Sequence, residues 1–573
     1  MEAAEKLITE NLDLWTSAVK AKSSAGRGSN NKRELYGIQK LRELILDLAV
    51  QGLLVPQNSE DEPAIEHCGL FGSGSELKAP FELPPIWTWS NLEQIATING
   101  GFAFKSSDYS DDGIRVVRIS DFDENGFKNE KIVRHSFSPE LEKFSLRDGD
   151  ILMAMTGGTV GKSLHVKALV EPMLVNQRVA SIRASEAITS NYLNVLIQSE
   201  VTQKVIHEAK NSTNDNISMR DIKGFLVPLP PLAEQHRIVA KVDELMALCD
   251  QLEKEQESSL DTHDTLVATL LGALTTATAD ASQFTEAWQR IQANFDTLFT
   301  TESSIDQLKQ TILQLAVMGK LVPQDPEDES AVTTLERIAT RRAKLIKAGD
   351  LKKRKLLPPI PKNEEPSKLP VPWQWCQLDV LITDMDAGWS PACPPTPSPS
   401  HDIWGVLKTT AVQVMVYRES ENKVLDGGKS PRPQYEVKTG DILITRAGPK
   451  NRVGISCLVE NTRPRLMISD KIIRFHLVEV GISERFISLC LNAGPTWNYL
   501  ESAKSGMAES QMNISQGKLR AAPIPLAPID EQRRIVAKVD ELMALCDQLK
   551  ASLATVQTTQ LNLADSLVDA AIN

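Results

Sequence analysis

"EQHRIVAKVDELMALCDQL", residues 234–252, returns as "EQRRIVAKVDELMALCDQL" at 531–549, with one difference in nineteen positions, His236 against Arg533. Self-similarity of this kind marks a duplicated architecture. Within each copy the apolar residues fall on alternating steps of four and three: Ile238, Val242, Leu245, Cys249 and Leu252 in the first, Ile535, Val539, Leu542, Cys546 and Leu549 in the second. That period predicts a helix with a single apolar seam, of the kind used in coiled coils. Pro228, Pro230 and Pro231 precede the first copy and Pro523, Pro525 and Pro528 the second, so each helix follows an extended segment. A first helix from Glu234 to about Leu271 would be a rod roughly 57 Å long.

Four further pairs follow in the same order. "ILDLAVQGLLVPQ" (45–57) matches "ILQLAVMGKLVPQ" (312–324), each a helix end with Gly52 or Gly319 in the terminating role and Pro56 or Pro323 beyond. "LPPIWTWSNL" (83–92) shares Leu-Pro and a Trp-x-Trp pair with "LPVPWQWCQL" (369–378). "GDILMAMTGGTVGKS" (149–163) matches "GDILITRAGPKNRVGIS" (440–456), and "NIS" at 216–218 matches "NIS" at 513–515. Trp87/Trp89 and Trp373/Trp375 read as core packing where each block begins.

The GDIL pair disposes of a tempting reading. Gly161-Lys162-Ser163 resembles the end of a phosphate-binding loop, but Thr156 stands where the first glycine belongs, and the second copy has Ile455-Ser456 in place of Lys162-Ser163. Both copies are therefore expected to be a strand, a glycine-bearing turn and a second strand. A self-contained NTP-hydrolysing enzyme is set aside.

Composition narrows the remainder. With 573 residues the chain exceeds one core, and the acidic N-terminus "MEAAEKLITENLDLW" has no apolar signal segment, which points to the cytoplasm. No apolar run approaches the ~20 residues of a membrane span. The cysteines at 68, 249, 376, 393, 457, 490 and 546 form no C-x-x-C pair, and the eight histidines, among them His135 and His165, are scattered; neither a disulfide framework nor a metal site is expected. The net charge of −12 is unusual for a chain that binds nucleic acid alone, although residues 404–474 carry thirteen Lys/Arg against seven Asp/Glu, where 101–183 balance at twelve each. Any nucleic-acid role must rest on local patches or on partners.

The expected fold class is mixed α/β with a pseudo-twofold internal repeat: a helical region 1–83, a strand-rich block 84–227, a central helical spacer 228–369, a second block 370–525 and a C-terminal helix 526–573. Runs such as "IRVVRISDF", "WGVLKTT" and "KIIRFHLV" suit strands. The order closes into a ring if the long helices pair antiparallel as a coiled coil. Apart from their landmarks the two blocks differ almost completely, as expected of two similar domains that serve two different targets.

These repeated elements, with the "GDIL…G…VG…NIS" blocks, closely resemble the specificity subunits of type I DNA restriction–modification systems, over essentially the whole chain and in the longer enteric form. The resemblance implies a non-catalytic subunit with two target-recognition domains, each reading one half of a split, asymmetric site in double-stranded DNA. It implies helices that fix the spacer and dock two adenine-methylating modification subunits, joined by ATP-driven restriction subunits. SAM, and ATP with Mg, would then belong to those partners, with no cofactor in this chain. Consistent with that, the sequence has no Asn/Asp-Pro-Pro-aromatic tetrad and no glycine-rich cofactor loop.

In the first block the candidate DNA-binding residues are Lys105, Ser106, Arg115, Arg118, Thr159, Lys162, Asn176, Gln177 and Arg178. In the second they are Trp389, Ser390, Lys408, Thr409, Thr410, Arg446, Lys450, Asn451, Arg452, Ser469 and Lys471. Arg and Lys pair with guanine edges and Asn or Gln with adenine, while many Lys/Arg contacts reach only phosphate. For any one of them a solvated charge or a strand-end hydrogen bond is an equal reading; together they favour contact. Neutralising Lys450 and Arg452 is expected to abolish specific binding.

Ile238, Val242, Leu245, Leu252, Ile535, Val539, Leu542 and Leu549 are candidates for the coiled coil and partner binding. "SPACPPTPSPS" (390–400) is expected to be an ordered loop. Residues 337–355 carry nine Lys/Arg and one Asp, which suits phosphates, an acidic partner or a merely solvated helix end. The alternative from another class is a helical scaffold or decoy that binds modification subunits without reading DNA.

Overall fold

The computed structural model describes residues 2–21, 33–64, 81–209, 216–276 and 281–572. Cys68 lies outside them; the six other cysteines are free thiols. The chain divides into two compact units, Met1–Leu260 with Ala554–Asn573, and Asp261–Leu553.

In the first unit the helix Tyr36–Val50 and the leading part of a long helix, Leu232–Thr276, enclose one core, in which Leu41, Leu44 and Ile45 pack with Ile238, Val242, Leu245 and Cys249. The chain's last turns join this core through Ala564, and Tyr36 Oη donates to Asp565 at 2.7 Å. In the second unit Glu302–Val317 and the leading part of Ile529–Ile572 repeat the arrangement, and Ile535, Val539 and Cys546 share a core with Val267, Leu271 and Leu274. Each unit thus holds the leading part of one long helix and the trailing part of the other.

Two expectations are corrected here. The first long helix does not stop near Leu271: buried Leu274 continues the seam, and the helix has 45 residues, a contour of about 68 Å. The seam residues are also not available to a partner. Ile238, Val242, Leu245, Ile535 and Val539 are buried within the chain, and Leu252, Leu542 and Leu549 pack half-buried against the same cores.

The repeated dipeptide Glu-Gln at the start of each long helix explains why the helix ends and tryptophans recur with it. Buried Glu234 accepts from Trp87 Nε1 at 2.9 Å and from Gln57 Nε2 at 2.6 Å; Glu531 accepts from Trp373 Nε1 at 2.9 Å and from Gln324 Nε2 at 2.6 Å. Burial pushes both carboxyls up, and the tryptophan and glutamine donors oppose it. Gln235 and Gln532 accept the backbone N–H of Thr189 and Ser483, so each hub also holds its block's helical side. Gly52 and Gly319, at φ +74° and +68°, end their helices against Pro84 and Trp87 and against Pro370 and Trp373.

The two blocks, so different in sequence, have one topology. Four antiparallel strands run in the order Ser163–His165, Ile151–Ala154, Val179–Ala184, Ala96–Gly100 in the first, and Ser456–Leu458, Ile442–Thr445, Ile472–Leu477, Ile382–Ala387 in the second. A three-stranded sheet accompanies each, centred on Ile114–Val117 and on Gly405–Leu407, with one parallel and one antiparallel neighbour. A short antiparallel pair closes each block at its two ends, Thr88–Asn91 with Leu226–Leu229 and Gln374–Gln377 with Pro523–Leu526. These edge strands accept the prolines that precede the long helices.

The shared GDIL aspartate is a buried anchor. Asp150 accepts from Arg183 Nε and Nη2, both at 2.7 Å, and caps the turn through Arg147 N at 2.9 Å. Asp441 caps through Lys438 N at 2.9 Å, but its cations differ: His476 Nε2 lies at 2.7 Å and Arg474 Nη1 at 3.4 Å. Strand register sets His476 at the Arg183 position and Arg474 at the Ser181 position.

Between Asp384 and Asp441, the His476 imidazole is raised to about 9. A raised histidine stabilises the fold fully below its unfolded value near 6.5 and loses that contribution as pH climbs through about 9. The difference in melting temperature between the parent chain and His476→Gln should therefore be largest near pH 6 and shrink steadily towards pH 9.5. A pH-independent difference in thermal melts would contradict this assignment. Arg183, always charged, gives the first block no such dependence.

Candidate nucleic-acid interface

In each block three chain segments meet at one place, tied by backbone hydrogen bonds. In the first, Gly101 N donates to Val179 O at 3.2 Å, Phe102 N to Val175 O at 2.8 Å, Gln177 N to Phe102 O at 2.9 Å and Met155 N to Arg178 O at 2.9 Å. The segment around Lys105, the turn 156–159 and the bend 176–178 are thereby neighbours. In the second, Trp389 N donates to Ile468 O at 3.1 Å and Arg446 N to Lys471 O at 2.8 Å, which joins 388–390, 446–452 and 469–471.

The repeated "NIS" closes both clusters. Asn216 bridges Thr156 and Asn513 pairs with Ala447; Ile217 N donates to Met155 O at 3.0 Å and Ile514 N to Arg446 O at 2.8 Å. Ser218 and Ser515 then cap the short helices that follow.

Glycine makes the meeting possible. A Cβ on Gly101 would fall closer than 3.0 Å to the carbonyls of Val175 and Asn176, and one on Gly388 would do the same at the carbonyl of Ile468.

The candidate residues separate by what their side chains already hold. Lys105, Ser106, Gln177 and Arg178 in the first block, and Asn451 and Lys471 in the second, are exposed, and their side chains have no hydrogen-bond or ion-pair partner among the described residues. Thr159 is exposed, with its hydroxyl 3.5 Å from Thr156 O. Asn176 is half-buried; its Oδ1 accepts from Arg178 N at 3.2 Å and so shapes the bend. Lys450 is exposed and pairs with Glu509 at 3.0 Å, an acid that holds its ammonium above the usual lysine range.

Others are engaged within the protein, and for these the expectation of DNA contact is corrected. Arg115 is buried and donates to Asn129 Oδ1 and Lys128 O. Arg118 grips Asp121 through two nitrogens at 2.8 and 2.9 Å, and also Lys131 O. Lys162 donates to Ile119 O at 2.5 Å over the Phe122 ring, and burial lowers its ammonium. Ser469 is buried.

Arg452 turns inward to Gln413 Oε1 and to Thr409 O and Val412 O, all at 3.0 Å, so its neutralisation removes a loop brace. A guanidinium looks the same in sequence whether it faces a base or a backbone carbonyl. That ambiguity put these residues among the candidates.

Four more second-block candidates already hold partners. Trp389 stacks under Arg432 at 4.2 Å; Ser390 bonds Asp470; Lys408 and Thr410 both meet Glu421, at 3.6 and 2.5 Å. Thr409 supplies a carbonyl to Arg452, and Arg446 is half-buried beside Lys471. The proline-rich loop is largely exposed and is tied to the block by Ser398 N, which donates to Asn422 Oδ1 at 2.8 Å.

The segment 505–511 was missed. It carries exposed Met507, and Glu509 O accepts from Lys450 N at 2.7 Å, beside the 446–452 turn. Its position next to the second "NIS" was the available signal.

Among the described residues no group of three or more His, Cys, Asp or Glu is placed to hold a metal, and no helix is long and apolar enough to cross a membrane.

Residues 84–262 match the family described as the type I restriction modification DNA specificity domain. Over the whole of both chains the sequence is 48% identical to the EcoEI specificity subunit and 34% identical to the EcoAI specificity subunit, both type I restriction enzyme subunits of Escherichia coli. Among solved structures, the HsdS subunit from Thermoanaerobacter tengcongensis is 20% identical, with 86% of this chain and 98% of that chain covered, at a TM-score of 0.40. A chain from a study of type I R-M complex assembly is 19% identical, with 86% of this chain and 99% of that chain covered, at 0.48.

Proposed function

Because this chain belongs to the type I restriction enzyme specificity subunits, non-catalytic components of restriction–modification complexes, we propose that its two strand-rich blocks, 84–227 and 370–525, are target-recognition domains that each read one half of a split DNA site. The observation that carries this is the duplicated loop cluster: two blocks with one topology place different exposed side chains at the same three-segment junction. Lys105, Ser106, Gln177 and Arg178 in the first, and Asn451 and Lys471 in the second, are the side chains free to meet bases or phosphates, with exposed Lys450 held beside them by Glu509.

The helical parts, 1–83, 228–369 and 526–573, set the spacing between half-sites and dock two modification subunits, with restriction subunits completing the nuclease. SAM, and ATP with Mg, act in those partners, in the cytoplasm. Since the apolar seam is taken up inside the chain, docking falls to the polar flanks of the long helices. A decoy that only occupies modification subunits is not favoured, because the relatives that match along the full length are named specificity subunits.

The test is a pair of loop variants in the assembled methyltransferase. Gln177→Ala with Arg178→Ala should relax base preference in one half of the methylated motif and leave the other intact. Asn451→Ala with Lys471→Ala should do the reverse, each at about 1–3 kcal/mol per lost base contact. Unchanged preference in both halves would reject the site.

A further inference from the structure

The two copies of the scaffold diverge sharply just before each block. Between "LVPQ" and the next Leu-Pro, residues 58–82 carry six Asp/Glu and one lysine, whereas residues 325–368 carry eleven Lys/Arg and eight Asp/Glu. In the second copy part of this insertion is a helix, Ala331–Ala348, closed by Gly349 at φ +86°. It buries Ala331, Thr334, Ile338 and Arg342 on one face.

The insertion is held rigidly to the second block. Ala331 N donates to Pro372 O at 2.9 Å, Arg342 donates to Ile382 O, and Arg354 both pairs with Asp379 at 3.0 Å and donates to its carbonyl. Leu357 N donates to the same carboxylate at 3.3 Å.

With those groups facing inward, Lys344, Lys347, Lys352, Lys353 and Lys355 are left on the outside. All five are exposed, and none is paired with an acid among the described residues. Five unneutralised ammonium groups on a braced ridge, in a chain whose net charge is −12, repel one another unless an anion covers them. The lysine ammonium is a point charge without the fork that reads base edges, so the complementary surface is a row of phosphates.

We propose that this ridge is a sequence-independent rail for the phosphate backbone of duplex DNA, a contact added to the second recognition domain that the acidic first copy does not offer. The proposal rests on the DNA-reading role argued above.

The test uses the complex of the full chain with its modification subunits and compares the parent with a variant carrying all five lysines as glutamine. Affinity for duplex DNA containing the methylated motif is measured as a function of salt. At about 0.9 per released phosphate contact, removing five contacts should flatten the slope of log K against log salt by about 4 to 5, and affinity at low salt should fall at least roughly tenfold. The methylated motif should stay the same, and the corresponding five-arginine variant should keep the parental slope. Identical slopes for parent and glutamine variant would overturn the rail. So would loss of modification-subunit binding at unchanged slope, which would mark the ridge as a protein-docking face. A parent that methylates no motif would instead refute the recognition role itself.

Discussion

Gly388→Ala should disable reading by the second recognition domain while the first continues to work. The added Cβ falls on the carbonyl of Ile468, so the 388–390 segment and the 468–471 bend cannot keep their approach. Overpacking of this kind costs about 3 kcal/mol where the backbone cannot yield. Trp389, whose N–H donates to that same carbonyl, and Ser390, bonded to Asp470, would move apart from Lys471. Affinity of the assembled complex for its own split site should fall on the order of 100-fold, from the loss of one or two base contacts. Gly101→Ala should do the same to the other half-site, against the carbonyls of Val175 and Asn176. Gly427→Ala and Gly428→Ala, where a Cβ meets nothing within 4 Å, are the controls and should bind as the parent does. Equal binding by Gly388→Ala and the controls would remove the three-segment junction from the site.

The second large effect is expected at the duplicated hub. Glu234→Ala leaves the buried Trp87 Nε1–H without its acceptor and Glu531→Ala does the same to Trp373, while the exposed Gln57 and Gln324 amides keep the carbonyls of Gly52 and Gly319. An orphaned buried donor costs about 1–3 kcal/mol, so each substitution should destabilise its own unit by that amount in denaturant unfolding. Glu234→Gln keeps one acceptor and should cost about half as much. Because Trp87 and Trp373 lie at these two hubs, their fluorescence reports local loosening there. A loss below about 0.5 kcal/mol for both alanine variants would show that the hubs do not organise the helix starts.

The scaffold was legible in the sequence wherever one residue type has one physical use. Steps of four and three gave the seam through Ile238, Val242 and Leu245 because only a helix buries that spacing. The "GDIL" pair pointed to a strand–turn–strand, which occurs in both blocks; the "NIS" pair was legible only as a repeated landmark, and it is the structure that shows its serines capping short helices.

The common topology of the two blocks was hidden. Its core accepts any apolar side chain of suitable size: Ile182 and Ile98 pair in one sheet where Phe475 and Met385 pair in the other. Its buried carboxylate accepts different cations, Arg183 in one block and His476 with Arg474 in the other. The site was half legible. Its loops were found through glycines and repeats, but Arg115, Arg118, Lys162 and Arg452 spend their charge on the protein's own carbonyls, carboxylates and rings. Which cations stay free depends on long-range pairings such as Arg452 with Thr409, 43 positions apart, that local pattern does not encode.

The most direct test of the central claim is to co-express the chain with its cognate modification subunit in a host that lacks other adenine methylation, and to map methylated adenines across the genome by single-molecule sequencing. The two-domain reading predicts one split motif with a fixed gap, whose halves respond separately to loop variants of the first and second blocks. A fully assembled complex that leaves no methylated motif, or one whose motif is a single uninterrupted sequence, would contradict it.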